Sequence, residues 1–384
     1  MSGASLTLTG QGAAGVGRTL AWAIVALALI SLPQTAFTDG PTVIASADLM
    51  LSPILLGGAA ILLALGVGPR RLVDLALLAV SVVAAIQLLR AVGTNFSKAE
   101  SGFWSLVGAL WLASWLFVER LSGWDVTSLA AKRAIGILIP ALFGVWVLVL
   151  WQLLVIGLGV SPVLLPPPSA IGARFASSLP TLWADFQQTF LKAVLIGYAV
   201  GCGSAFIVAI LVDKVDFLRR GLLPIGNLVS ALPIVGVAPI MVMWFGFDWP
   251  SKAAVVIIMT FFPMLVNTVA GLASADRMQR DLMTTYAADY WQTLFKLRLP
   301  MALPFIFNAL KINSTLALIG AIVAEFFGTP IVGMGFRIST EVGRMNVDMV
   351  WAEIAVAALA GSVFYGLVTL LERVFTFWHP SVRG

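Results

Sequence analysis

Residues Ser274 to Pro300 read SADRMQRDLMTTYAADYWQTLFKLRLP. The segment is charged and amphipathic where its neighbours are apolar. Arg and Asp alternate through its first half, while Met283, Tyr286, Tyr290, Leu294 and Leu297 recur at three- and four-residue intervals. That spacing predicts one or two short helices with a single apolar face. On either side lie apolar runs, roughly 253–272 and 303–327. Each is long enough to cross a hydrocarbon layer about 30 Å thick as a helix of about 20 residues. The segment is therefore a polar loop between two membrane helices. On physical grounds it suits either the docking of a soluble partner or a position against lipid head groups.

The same reading extends outward. The chain has 384 residues, 60% of them hydrophobic and 11% charged, well under the roughly 25% charged of a soluble domain. It reads as an all-α polytopic membrane protein with about ten transmembrane helices, near 20–37, 50–67, 72–92, 103–118, 135–158, 190–212, 225–245, 253–272, 303–327 and 351–371. With Arg18 inside, ten crossings put the majority of the 23 Lys and Arg, among them Arg70, Arg71, Arg120, Lys132, Arg133, Arg277 and Arg298, in the cytoplasm. The other face receives Arg90, Lys98, Arg174, Lys192, Lys252, Arg337 and Arg344. This bias places both termini inside. Taking 20–37 as a cleaved signal peptide would invert it, so the segment is kept as the first span. The net charge of +5 then reports orientation, with no nucleic-acid partner expected.

The polar stretch Leu121 to Arg133 divides the chain into a four-span region, 1–125, and a six-span region, 126–384. Cys202 is the only cysteine and His379 the only histidine, so disulfides and Cys/His metal clusters are excluded. Cys202, between two glycines, reads as a small core residue. Gly10, Gly12 and Gly15 have a G-x-G-x-x-G spacing, but they follow no strand and precede a membrane helix, so the match is by chance. Gly197 and Gly201 form a G-x-x-x-G, read as a close-packing face. No phosphate-binding G-x-x-x-x-G-K-[ST] occurs, so ATP, if used, must be bound by another subunit.

The loop resembles the EAA segment of ABC-importer permeases with the binding-protein-dependent inner-membrane component domain. That segment runs E-A-A, three residues, Gly, and later a closing L-P. Counting back from Leu299 and Pro300, Asp281 falls on the Glu, Leu282 and Met283 on the two Ala, and Ala287 on the Gly. Trp291 and Gln292 match a W-Q of the nitrate, sulfonate, bicarbonate and taurine subfamily, and Ala302, Leu303 and Pro304 continue its L-P-x-A-L-P. LLPPPSA at 164–170, ALPIVGVAPIMVMWFG at 231–246 and FFPMLVNTVAGL at 261–272 resemble further segments of that subfamily, which includes thiamine-precursor and riboflavin carriers. The likeness covers about residues 135–375. Ala287 in place of Gly is a departure, because the turn it occupies favours left-handed backbone.

The resemblance implies a six-helix type I ABC permease core, with its coupling loop at 276–300, preceded by four extra spans in a bacterial inner membrane. It implies a permease homodimer, a cytoplasmic ABC ATPase and an external solute-binding protein as partners. The chain then has no catalytic residue, metal or cofactor of its own, ATP and Mg being bound by the ATPase. Asp281, Leu282, Met283, Ala287, Trp291, Gln292, Leu299 and Pro300 are expected to contact or shape the contact with that ATPase. Within the ninth span, Asn308, Asn313, Thr315 and Glu325 are expected to line the solute path, since polar groups inside spans usually face a cavity or a partner. Lys311, near the span's start, suits either that path or snorkelling to the interface. Residues 328–350 are expected to form a re-entrant or surface helix on the external side. The substrate class implied is a nitrate-, sulfonate- or taurine-type anion, or a pyrimidine or riboflavin-like heterocycle. The competing reading is an ion-coupled secondary transporter, against which stand the absence of internal repeats and the docking-type loop. A membrane-embedded enzyme has no histidine within the spans to use.

Overall fold

The computed structural model of the chain describes residues 10–39, 42–45, 51–94, 99–124, 126–230, 233–328 and 331–378. Lys98, His379 and Arg383 lie outside them. The chain forms two compact units, one up to Ala170 and one from Ile171. Seven of the described helices are long and apolar enough to cross a membrane, and three shorter apolar helices accompany them.

The first unit contains α1 (Gly10–Ser31), α2 (Leu51–Leu65), α3 (Arg70–Thr94), α4 (Ser101–Ser122) and α5 (Leu129–Gly157). Its core is built from α1 to α4 around Leu56, Leu77, Leu88, Phe103 and Leu106, all fully buried. Because α5 packs on α3 and α4, this unit continues past the polar stretch 121–133. One departure from an all-helical chain is an antiparallel hairpin, β1 (Thr35–Asp39) with β2 (Thr42–Ala45). It shortens the expected first span, because Pro33 ends the helix: α1 stops at Ser31.

The second unit begins within α6 (Pro168–Ser177) and holds α7 (Leu179–Phe186), α8 (Leu195–Lys214), α9 (Asp216–Ser230), α10 (Ile234–Phe245) and α11 (Trp249–Ala273). It continues through α12 (Arg277–Thr285), α13 (Tyr290–Thr293), α14 (Leu299–Glu325), α15 (Met334–Gly343) and α16 (Val347–Phe375). The expected span 225–245 is broken into α9 and α10, since Pro233 is held extended and proline disfavours a helical residue before it. Two π-helical stretches, Gln187–Val194 and Leu294–Arg298, join α7 to α8 and α13 to α14 without a break.

Helix α11 is the axis of this unit, lying against both α8 and α14. Lipid supplies little hydrophobic drive for helices to associate, so small residues that permit close contact decide which faces meet. A Cβ on Gly197 would lie 2.6 Å from the Val256 side chain, and one on Gly201 would lie 2.2 Å from the Thr260 hydroxyl. The G-x-x-x-G of α8 is thus the seam with α11. Gly271 plays the same part against Ala302 and Phe305 of α14. Cys202 is buried on that seam, where it accepts a hydrogen bond from Asn313.

Candidate functional site: an anchored two-helix loop

Each short helix of the loop carries its own start signal. Asp276 and Asp289 are the N-caps of α12 and α13, and each is followed three residues later by a glutamine, Gln279 or Gln292, that completes a capping box. The glutamine side chains accept from the N-cap backbone N–H at 3.2 Å in both cases. These reciprocal bonds satisfy donors that a free helix end leaves to water. Between the helices the chain reverses through a Schellman turn: Ala288 N–H donates to Met283 C=O at 3.0 Å and Ala287 N–H to Thr284 C=O at 2.9 Å. The turn requires a left-handed residue, and Ala287 supplies it with φ of +52°.

The loop is tied to the bundle at one point. Arg298, closing the π-helical stretch, makes a two-pronged ion pair with Asp213 at the end of α8 and donates from Nε to the Leu272 carbonyl of α11 at 3.0 Å. The Tyr290 hydroxyl donates to the same Asp213 carboxylate at 3.0 Å. Lys214 stands over the rings of Tyr290 and Trp291, an attraction between cation and ring face. Leu294 is fully buried beneath them. In contrast, Met278, Leu282 and Tyr286 follow one another at i, i+4 and i+8 and are 78%, 56% and 78% exposed. Trp291 and Phe295, stacked on each other, are exposed too. The loop is therefore anchored from below while presenting five large apolar or aromatic side chains outward.

The residues singled out in the sequence take up different stations here. Asp281 and Leu282 are exposed on α12, and Met283 is half-buried. Gln292 caps α13, and Leu299 and Pro300 open α14, with Leu299 packed on the core. Asp213, Tyr290 and Arg298, which anchor the loop, have no motif to announce them. Of the outward side chains, Tyr286 lay on the three- and four-residue spacing read in the sequence, whereas Met278 and Phe295 were not marked by it.

A second polar cluster gathers at the far end of α14. Glu325 is buried and accepts from Thr189 Oγ1 at 2.8 Å and from Gly335 N–H at 2.7 Å. Asp185 accepts from Gly333 N–H at 2.6 Å and from Arg337 Nε at 2.9 Å, while Met334 N–H donates to Thr189 at 2.8 Å. Three successive N–H groups at the start of α15 thus meet two carboxylates and a hydroxyl, the arrangement a helix N-terminus favours. Buried Lys252 closes the neighbouring turn by donating to the carbonyls of Phe247 and Gly328.

A family model described as the binding-protein-dependent transport system inner membrane component matches residues 193–376, from the end of the first π-helical stretch through α16. The formylaminopyrimidine transport permease protein ThiX of Halalkalibacterium halodurans is 30% identical over 250 residues, covering 65% of this chain and 99% of its own length. The riboflavin transport system permease protein RibX of Chloroflexus aurantiacus is 32% identical over 236 residues, 61% of this chain and 87% of its own. A putative aliphatic sulfonates transport permease protein, SsuC of Bacillus subtilis, is 29% identical over 252 residues, 65% and 89% respectively.

The chain belongs to this family of ABC-importer permeases. In this permease the ninth apolar run separates its polar residues by face. Asn308 and Thr315 lie on an exposed face of α14 with Ile312 and Ile319. Asn313 is fully buried and donates to the Thr260 carbonyl at 2.8 Å, and Glu325 is occupied as described. Lys311 pairs with Glu372 of α16 at 2.8 Å. Residues 334–343 of the permease form α15, a helix of ten residues within the segment 328–350.

Proposed function

We propose that this permease moves a small polar solute inward through a homodimer, driven by a separate ATPase docked on α12 and α13 and supplied by an external solute-binding protein. The observation that carries the reading is the outward apolar face of Met278, Leu282, Tyr286, Trp291 and Phe295 on a loop anchored by Arg298 and Asp213. Displacement of a docked ATPase would pass through that anchor to α8 and α11, rocking a bistable bundle between its two open states. Asp281, Leu282, Met283 and Trp291 are assigned to the contact, Ala287 and Gln292 to its shape, and Leu299 and Pro300 to its junction with α14. On α14, Asn308 and Thr315, which point away from their own unit, are assigned to the solute path, with Asn313 and Glu325 supporting it from behind.

The three shorter apolar helices bring the crossings to ten, with both termini cytoplasmic and the four-span region added to a six-span core. Relatives named for formylaminopyrimidine and riboflavin transport favour a nitrogen heterocycle over a sulfonate as the solute. The test is to purify the permease with its neighbouring gene products. An ATPase recovered in equal number, lost when residues 277–295 are scrambled, supports the reading. Solute uptake driven by an ion gradient with no ATPase overturns it in favour of a secondary transporter. Mass spectrometry of the ligand carried by the co-purified binding protein then identifies the solute class.

A further inference from the structure

The first unit contains a cavity apart from the loop and from the polar groups of α14. At the end of the bundle where α1 begins, α2 ends, α3 begins and α4 ends, a space of about 620 Å³ opens between Arg18, Arg70 and Arg120. The turn at 66–69, with Gly66 and Gly68 both at positive φ, forms its rim. Arg120 is fixed in place by fully buried Asp74, which also accepts from the Trp124 indole at 2.9 Å. Among the described residues Arg18 and Arg70 have no ion-pair partner, and Glu119 is the single carboxylate on the wall. Three guanidiniums thus face Glu119 and the already engaged Asp74, leaving positive charge in excess.

A second cavity adjoins this one. A slot of about 440 Å³ shares Glu119 and Ser122 with it and runs along α4 and α5 between Trp111, Trp115, Phe143 and Trp146. The first cavity is therefore cationic, and the adjoining one is aromatic and apolar. Guanidiniums grip phosphate oxygens in pairs, and basic pockets between membrane helices hold anionic head groups.

We propose that these adjoining cavities bind one anionic phospholipid, its phosphate held by Arg18, Arg70 and Arg120 and an acyl chain lying in the Trp111–Trp146 slot. A free phosphate offers the same oxygens without the chain, and the slot favours the lipid.

The test uses the full chain, stripped of lipid in detergent and then given palmitoyl-oleoyl phosphatidylglycerol or phosphatidylcholine, with retained lipid counted by native mass spectrometry. The expected result is one phosphatidylglycerol per chain and at least tenfold less phosphatidylcholine. The double variant Arg18→Gln/Arg70→Gln should retain at least tenfold less phosphatidylglycerol, while Lys132→Gln/Arg133→Gln, which removes two exposed cations of α5 outside the cavity, should retain it fully. Trp115→Ala, in the slot, should lower retention about threefold. Equal retention of both lipids, or equal loss in both double variants, would overturn the site. Displacement of phosphatidylglycerol by millimolar inorganic phosphate would overturn the lipid as the ligand.

Discussion

Arg298 meets Asp213 edge to edge, Nη1 to Oδ2 at 2.7 Å and Nη2 to Oδ1 at 2.6 Å. The pair is mostly withdrawn from solvent, with side-chain exposures of 15% and 4%. Such pairs contribute little over an apolar replacement of equal shape, but removing one partner strands the other. Asp213→Ala should therefore cost about 3 kcal/mol and release the Tyr290 hydroxyl as well. The measurement is thermal unfolding in detergent, together with the yield of co-purified ATPase. The swap Asp213→Arg/Arg298→Asp should recover much of the loss, and no recovery would show that the carbonyl of Leu272 is the dominant partner.

Ala287 carries a left-handed conformation that costs an L-residue roughly 1–2 kcal/mol. Glycine avoids that strain but has more freedom to lose on folding, so Ala287→Gly should stabilise the loop by about 0.5 kcal/mol. Ala287→Val, branched at Cβ, should destabilise it. Hydrogen exchange of the α12 amides distinguishes the two, slowing in the glycine variant and quickening in the valine one.

Asp248 caps α11, accepting from Trp249 N–H at 2.7 Å and from Gln188 at 2.6 Å. The Trp249 bond, together with Gln188 and the nearby Lys192 and Lys252, outweighs partial burial and holds its carboxyl below the usual range. A carboxyl more acidic in the folded state stabilises it above the ordinary aspartate value near 4 and loses that contribution as pH falls. The unfolding temperature should thus drop more steeply below about pH 4 in the wild type than in Asp248→Asn, whose amide oxygen still caps the helix. Identical profiles would remove Asp248 from the acid response.

At the opposite end of α14, Glu325→Ala leaves the Thr189 hydroxyl and the Gly335 N–H without their acceptor. A loss of about 3 kcal/mol is expected, with α15 becoming sensitive to proteolysis while α12 and α13 do not. Gly335→Ala should release α15 in the same way, since a Cβ there would stand 2.2 Å from the Ile322 carbonyl. Protection of α15 in either variant would show that other contacts hold it.

These sites differ in how openly the sequence displays them. The apolar runs marked the long helices because hydrocarbon demands length and apolarity; Pro33 moved the end of the first, and Pro233 split the expected span 225–245 into α9 and α10. The loop was legible as helical from its spacing, and its motifs carried the resemblance to the family. Asp213 was not, because an aspartate at a helix end resembles any solvated charge until the chain brings Arg298 beside it, 85 residues later. Glu325 and Asn313 showed the opposite limit. A polar residue in a span announces that it has a partner without saying whether that partner is a solute or Thr189 and Thr260. The π-helical stretches left no mark in the periodicity.

The two capping boxes and the left-handed turn give the loop a shape written entirely in its own 23 residues from Asp276 to Arg298. A surface made this way would look the same to a docked ATPase whichever way the bundle opened. A ligand biases an equilibrium only through a difference in affinity between its states, so one rigid loop, taken alone, transmits no preference. In the proposed homodimer the preference would reside in the separation between its two loops, a caliper that docked ATPases would read by distance.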